Sequence, residues 1–410
     1  MTGYSALPAA HARSTGAAAR RALVGAALAA GFLRAFAQMI YSGALVSMSS
    51  DLHTSPAGIG LTISVYGLSV AVCQIIFGPL VDRFSSKWIL GAGMLLFTAG
   101  SLWGQAAAGL AELLAARCLQ GVGIAAAVAV GVASIADAYG PAQRGYAMGL
   151  LTMSNSLGAS VAPLLGSAIA LWFGWRGDFW ALAACGLVVL LLVLWQLPAR
   201  PAPAQRVGLQ ALLQIVRLPA TAAALAFGCA QYYAIYTYHA LLPFMLVQRM
   251  RLPESWAGVF QALLPLSVTV GSLWGGRLAD RYGAQQILQR SAALCGLAYS
   301  LLLLASLLPA PGFSLLWLAL AVGMFGMAAG AGFPAQLSLM VDHFPALRAT
   351  AGTAQLFVRA MGSALAPVLA GVLSQWGGQP LGFGFALVVL LGSIAFGRLQ
   401  LQRSRVQAGS

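Results

Sequence analysis

The sequence predicts an all-α membrane protein, with twelve transmembrane helices forming two pseudosymmetric six-helix bundles. Three observations carry this: the composition, the recurrence of long apolar runs, and a short charged motif found once in each half. Hydrophobic residues make up 60% of the 410 and charged ones only 7%, a balance that a water-soluble chain of this length does not sustain. Crossing hydrocarbon as a helix takes about 20 apolar residues, because a helix satisfies its own backbone polar groups where water is absent. Runs of that length recur along the chain, and the strict alternation of a barrel strand is missing.

Taken in order, the spans are read at 22–49, 57–81, 89–108, 111–137, 145–172 and 179–197, then 220–246, 255–279, 286–308, 313–341, 349–375 and 380–398. The first follows Arg20-Arg21 and contains Ala35-Phe36-Ala37, which loosely resembles a signal-peptide cleavage site. The apolar stretch continues well beyond it, so the segment is read as a retained span. The second ends in Gly78-Pro79-Leu80-Val81-Asp82-Arg83, and the eighth ends in Gly276-Arg277-Leu278-Ala279-Asp280-Arg281. Between spans six and seven lies a proline-rich basic stretch beginning Pro198-Ala199-Arg200-Pro201, the only long loop. The expected organisation is a tail at 1–21, a bundle at 22–197, a linker at 198–219, a second bundle at 220–398 and a tail at 399–410. Asp82 and Asp280 are 198 residues apart, while Gly158 and Gly362, Ala162 and Ala366, and Pro163 and Pro367 are each 204 apart. Asp137 and Asp342 also correspond, each at the inner end of its bundle's fourth span. Such near-constant offsets mark a duplicated unit.

Charge sets the orientation. If the N-terminus is cytoplasmic, 16 of the 22 basic residues fall on the cytoplasmic side, 3 on the outer side (Arg176, Arg249, Arg251) and 3 inside spans (Arg34, Arg117, Arg359). The positive-inside rule therefore places both termini in the cytoplasm, in a bacterial-type inner membrane. The formal charge of +14 is spread over membrane-facing loops rather than gathered on one folded face, so topology explains it and no nucleic-acid partner is expected. The five cysteines (Cys73, Cys118, Cys185, Cys229, Cys295) fall within spans without CxxC spacing and read as small packing residues. No metal site, cofactor or enzymatic activity is expected, and the absence of a Gly-rich Lys phosphate loop argues against ATP as the energy source.

Several motifs in chain order resemble those of the major facilitator superfamily, and the resemblance runs from Arg20 to Arg398. The loop after span two matches the family's Gly-x-Leu-Ala-Asp-Arg-x-Gly pattern, with Val81 and Ser85 as departures. The second copy has Ala279 and Gly283 in place. Span four carries Arg117-x-x-Gln120-Gly121-x-Gly123, similar to the family's Arg-x-x-Gln-Gly-x-Gly. Span five carries Gly149, Gly158, Ala162-Pro163 and Gly166 at the spacing of the antiporter motif, with Ala162 and Ser167 replacing two glycines. Trp175-Arg176 resembles the Gly-Trp-Arg that follows that span. The resemblance implies the major facilitator fold, alternating access by rocking of the two halves, and export rather than import. It also implies an inner gate latched through Gly78, Asp82, Arg83 and Asp137, with Gly276, Asp280, Arg281 and Asp342 as the second copy. Physically, a carboxylate just past a helix end can bond neighbouring helix N-termini, and Arg83 can meet Asp137. Anchoring a loop at the membrane surface would use the same residues. The glycines of span five permit close helix approach and Pro163 removes a backbone donor, so packing accounts for them as well as gating does.

The three intramembrane arginines bear on cargo. Arg34 lies about 12 residues into its span, roughly 18 Å along the helix and too deep to snorkel with ease. Arg359 is comparably deep, and Arg117 lies in the outer part of span four. Each charge costs about 2.5–3.5 kcal/mol at the bilayer centre on insertion scales, so each should meet water, a partner or a ligand. All eight acids (Asp51, Asp82, Glu112, Asp137, Asp178, Glu254, Asp280, Asp342) fall at span ends or in loops, which leaves the central cavity positive. Cation-exporting drug:proton antiporters resemble this chain but usually place a carboxylate in span one; here Ala37-Gln38-Met39-Ile40-Tyr41 is neutral. Arg34 and Arg359 are therefore candidate counter-charges for an anionic or oxygen-rich substrate. Bonds to helix carbonyls and polar side chains are the structural alternative.

Tyr232, Tyr236 and His239 share a face of span seven at i, i+4, i+7, suited to a cavity wall. Tyr238 is expected in an interfacial belt. Asn155 and Gln355, with Ser154, are candidate polar cavity residues. Proton coupling is assigned to Arg117 acting on Asp51 or Glu112, or to His239. The expected function is proton-coupled export of a small organic molecule, an antibiotic or an endogenous acidic metabolite such as a siderophore, with a monomer in the lipid bilayer as the working unit. Two rivals stand beside it: an organic-anion:proton uptake symporter of the same fold, and a membrane sensor or assembly partner that does not transport.

Overall fold

A computed structural model describes residues 24–81, 84–138, 141–196, 219–307, 311–343 and 348–408, and no strand occurs among them. The first span, α1, runs Val24–Asp51 through a 3₁₀ turn at Ile40–Ala44. It is followed by α2 (Pro56–Val81), α3 (Ser86–Ala106) and α4 (Leu110–Ala138). The continuous helix Pro141–Gln196 is broken at Gly174, whose φ of +66° only glycine adopts readily, giving α5 (141–173) and α6 (175–196). The second half has α7 (Pro219–Phe244), α8 (Glu254–Tyr282), α9 (Ala284–Leu307) and α10 (Pro311–His343). Helix Arg348–Ala408 is broken at Gly377 and Gly378, the latter at φ +72°, giving α11 (348–376) and α12 (379–408). Gly174 and Gly378 are 204 residues apart, so the duplicated unit repeats its tightest turn.

Nine described helices are long and apolar enough to cross a membrane, two of them being the broken pairs. The described part of α7 falls short of that apolarity, and burial is the reason. Thr221, Gln231, Tyr233, Thr237, Tyr238 and His239 are all buried, so the polar residues of α7 face protein. α12 extends to Ala408, past the predicted end at 398.

Two hydrophobic cores form. One gathers α1 to α6 together with Phe244 from the end of α7, and the other gathers α7 to α12. Glycines set the approach within each bundle: a Cβ on Gly158 would strike the Phe32 carbonyl, and a Cβ on Gly362 would strike that of Cys229. The same close packing of α5 on α1 recurs as α11 on α7.

The halves meet at the face opposite the start of α1, called here the far face. There the Ser47 amide donates to Glu254 Oε1 at 2.9 Å. Gly43 and Gly258 both make room for the Ser167 hydroxyl, while Gly60 abuts Pro367 and Gly371 abuts Ala57. The second loop motif also takes shape: α8 ends on Gly283 at φ +87°, whose amide bonds Ala279 O at 2.9 Å. Ser85, at the matching place in the first copy, has φ −60°, so the departure from glycine is a departure in backbone too.

Candidate functional site

In the first half, Arg34 donates from Nε and Nη2 to Asn155 Oδ1 at 3.1 and 2.7 Å. The contact exists because α5 lies directly against α1. Ser154 Oγ bonds Leu28 O at 2.7 Å, and Gly158 and Gly166 press on the carbonyls of Phe32 and Ile40. The span-five glycines thus carry the amide of Asn155 to the guanidinium. Tyr66 Oη bonds Arg34 O at 2.9 Å and fixes the backbone there.

In the second half, Arg359 Nη2 donates to Gln336 Oε1 at 2.7 Å. Gln355 Nε2 reaches the same oxygen at 3.1 Å, and Gln336 Nε2 passes the chain on to Gln231 Oε1 at 3.0 Å. The guanidinium lies over Phe333 at 4.4 Å and Tyr232 at 5.3 Å, a cation–π setting. Arg359 is 9% exposed, and its buried Nε has no hydrogen-bond partner. Tyr232 stacks on Tyr236 with centroids 6.2 Å apart, and Tyr236 packs against both hydrophobic cores.

Arg117 is fully buried. It donates to Ala37 O at 3.1 Å from two nitrogens and to Gln120 Oε1 at 2.7 Å, beneath the rings of Tyr66 (4.3 Å) and Tyr41 (4.7 Å). The acids expected beside it are engaged elsewhere. Asp51 Oδ2 accepts from Trp175 Nε1 at 3.0 Å and pairs with Arg176 at 3.5 Å, the one ion pair among the described residues. Glu112 caps its own helix through the Ala108 amide at 3.0 Å. His239 is tied to Gln261 through Nδ1, and Gln261 Nε2 returns a bond to His239 O at 2.8 Å. So the structure brings Arg34 to Asn155 and Arg359 to Gln355 and Tyr232, and among the described residues no hydrogen bond or ion pair joins Arg117 to Asp51 or Glu112.

Other expectations fare differently. Tyr238 is wholly buried and donates to Phe260 O, so it is a core residue and not part of an interfacial belt. Asp178, expected at a span end or in a loop, sits in the first turn of α6 with no exposure and neither carboxylate oxygen bonded. Asp82 and Arg83 lie outside the described residues, as do the side chains of Asp137, Asp280 and Asp342 and the surroundings of Gly78 and Gly149. Gly276 meets open space, and exposed Arg281 stands over the ring of its neighbour Tyr282 at 5.3 Å.

Gln231, Gln336 and Phe333 were not singled out from sequence. One signal for Gln231 exists: the glycine contacts pair Phe32 with Cys229, an offset of 197, which maps Arg34 onto Gln231. The 204 offset maps Asn155 onto Arg359. An arginine and an amide thus occupy matching sites in both halves, with their helices exchanged.

Two matched helical bundles, joined at one face and carrying a buried, partly unsatisfied guanidinium in Arg359, are the architecture of a membrane transporter rather than an enzyme. The chain belongs to the Major Facilitator Superfamily, whose model matches residues 27–367. Among curated proteins, it is 25% identical over 363 residues to Multidrug resistance protein D of Escherichia coli K12, covering 87% of this chain and 90% of that one. It is 30% identical over 162 residues to the MFS antiporter QDR3 of Candida albicans, which is 39% of this chain and only 23% of the relative. A 32% match over 171 residues to Multidrug resistance protein MdtL of Escherichia fergusonii covers 41% of this chain and 44% of the relative. Among solved structures, an inward-facing bacterial homologue of the human lysosomal transporter Spinster superposes with a TM-score of 0.78 at 18% identity, covering 93% of this chain and 96% of that one. A nucleoside transporter superposes at 0.73 and 15% identity, covering 92% and 98%.

Proposed function

We propose that the chain exports a small anionic or oxygen-rich organic molecule in exchange for protons, by alternating access. Its setting is a bacterial inner membrane, with both termini cytoplasmic and a monomer as the working unit. The observation that carries the substrate class is that Arg34 and Arg359 have only neutral side-chain partners among the described residues, the Asn155 amide for one and the Gln336 amide with neighbouring Tyr232 for the other. A guanidinium held that way keeps its charge uncompensated and its remaining donors available. The direction of transport draws on relatives named for multidrug resistance and, in one case, antiport. With the far face taken as the outer one, its packed seam belongs to a state open toward the cytoplasm, which suits an exporter loading cargo. The Asp82 and Arg83 latch, with its partner Asp137 and its second copy, would then be the contact that closes when the seam opens.

Inside-out vesicles energised with a proton gradient provide the test. Fluorescein and ethidium serve as anionic and cationic probes. Gradient-dependent accumulation of the anion, lost in Arg34→Gln and Arg359→Gln at normal protein levels, is the expected result. Accumulation of ethidium alone would end the anion reading. Release rather than accumulation would favour an uptake symporter, which the positive cavity also suits. No movement of either probe with an intact fold would favour a non-transporting sensor or assembly partner.

A further inference from the structure

The two guanidiniums stand at one depth on opposite sides of the seam. A Cβ on Gly67 of α2 would lie 3.3 Å from Gln38 Nε2 and 3.9 Å from Ser363 Oγ, so α1 of one half and α11 of the other converge there. Gln38 is four residues beyond Arg34, and Ser363 is four beyond Arg359. One helical turn is about 5.4 Å, and both helices run toward the far face, so each arginine lies one turn nearer the start of α1 than that convergence. Arg359 lies over the Tyr232 ring at 5.3 Å, and Tyr232 stacks on Tyr236, which touches both cores, so a flat aromatic surface leads from this arginine toward the other half. Arg359, 9% exposed, has a buried Nε with no hydrogen-bond partner among the described residues. Arg34 holds Asn155 through Nε and Nη2.

We propose that Arg34 and Arg359 are two ends of a single site for a ligand bearing two separated anionic groups, such as carboxylates joined by a flat apolar spacer. This rests on the transporter reading above and names its cargo more narrowly. Each anion takes donors left over by an amide, and the spacer lies against the tyrosines. Because the two arginines belong to different halves, such a ligand cross-links them. A monoanion engages one half only and gains no bivalent advantage.

Thermal unfolding of the purified full chain tests this, with benzoate as monoanion and with terephthalate and linear α,ω-dicarboxylates of increasing length as dianions. At least one dianion should raise the melting temperature at concentrations at least tenfold below those needed for benzoate. Arg34→Gln and Arg359→Gln should each reduce that dianion to the benzoate level, and the double variant should lose no more than either single. Arg34→Lys and Arg359→Lys, which keep the charge, serve where a neutral variant does not fold. They should retain part of the preference. Equal or absent stabilisation by every anion overturns the proposal, as does a neutral variant that keeps the full dianion preference. Vesicle transport of fluorescein without any dianion preference removes this inference alone, whereas dianion binding without transport removes the transporter reading and leaves the site.

Discussion

The same carbonyl is satisfied in two ways in the two halves. In the first, Arg117 donates twice to Ala37 O; in the second, the residue 197 positions on, Ala234, has its carbonyl bonded by Tyr299 Oη at 3.2 Å. Gly121 and Gly326 make matching contacts, with Tyr66 and Ser69 in one half and Leu264 and Ser267 in the other, so α10 corresponds to α4 with an offset of 205. Val322 therefore stands where Arg117 does, and Phe325 where Gln120 does. Tyr299 itself replaces Ser101, which in the first half accepts from Gln120 at 2.7 Å. The second half shows that a hydroxyl and an apolar ring are enough to close this part of the bundle. The same fold thus closes here either with a buried cation or without one. A full charge kept where a neutral group suffices points to a task beyond packing.

Converting the first half into a copy of the second is the sharpest way to break this comparison. The triple variant S101Y/R117V/Q120F should fold with a melting temperature within a few degrees of the parent, yet lose gradient-driven transport by at least about 100-fold. A triple variant that still transports would make Arg117 structural after all. Arg117→Val alone should be worse for stability, by about 2–4 kcal/mol in chemical unfolding, because Gln120 Oε1 loses its donor and the Ala37 carbonyl loses the guanidinium.

Next in size is the glycine seam inside each bundle. Gly158→Ala and Gly362→Ala push a methyl into equivalent backbone carbonyls and should destabilise their halves by similar amounts, about 1–3 kcal/mol. Limited proteolysis that opens one half far more readily than the other in these variants would show that the duplicated packing is not energetically equivalent.

The polar hubs differ in a way that predicts a smaller contrast. Asn155 holds one group, while Gln336 holds Arg359, Gln355 and Gln231 together. Gln336→Leu should therefore cost about 2 kcal/mol and Asn155→Leu about half that, measured by urea unfolding in mild detergent. Smallest of all, Asp178→Asn should leave the melting temperature unchanged or a few degrees higher, since it removes an unpaired buried carboxylate while keeping the volume; the second half has Gly382 at that place.

The helical architecture was largely legible in sequence, because the bilayer imposes a length and an apolarity that few soluble elements share. Arg34 and Arg359 were legible for the same reason, as charges that hydrocarbon rejects. Their partners were not. A glutamine inside an apolar helix is equally at home bonded to a neighbour's carbonyl or facing a cavity, so Gln231 and Gln336 gave no directional signal until the helix contacts were known. Tyr238 misled because an aromatic near a helix end looks the same at the lipid interface as in a helix wrapped by its neighbours. The start of α6 lies before the expected 179 because a turn of a single glycine, Gly174, begins the helix earlier than a loop of ordinary length would.

The far face closes on three small groups, with Gly43 and Gly258 leaving room for Ser167 and little else. A seam built with no spare volume can be altered in only one direction, since any added methyl acts as a doorstop. Turnover could thus be retuned one carbon at a time, at positions remote from Arg34 and Arg359, leaving the choice of cargo untouched.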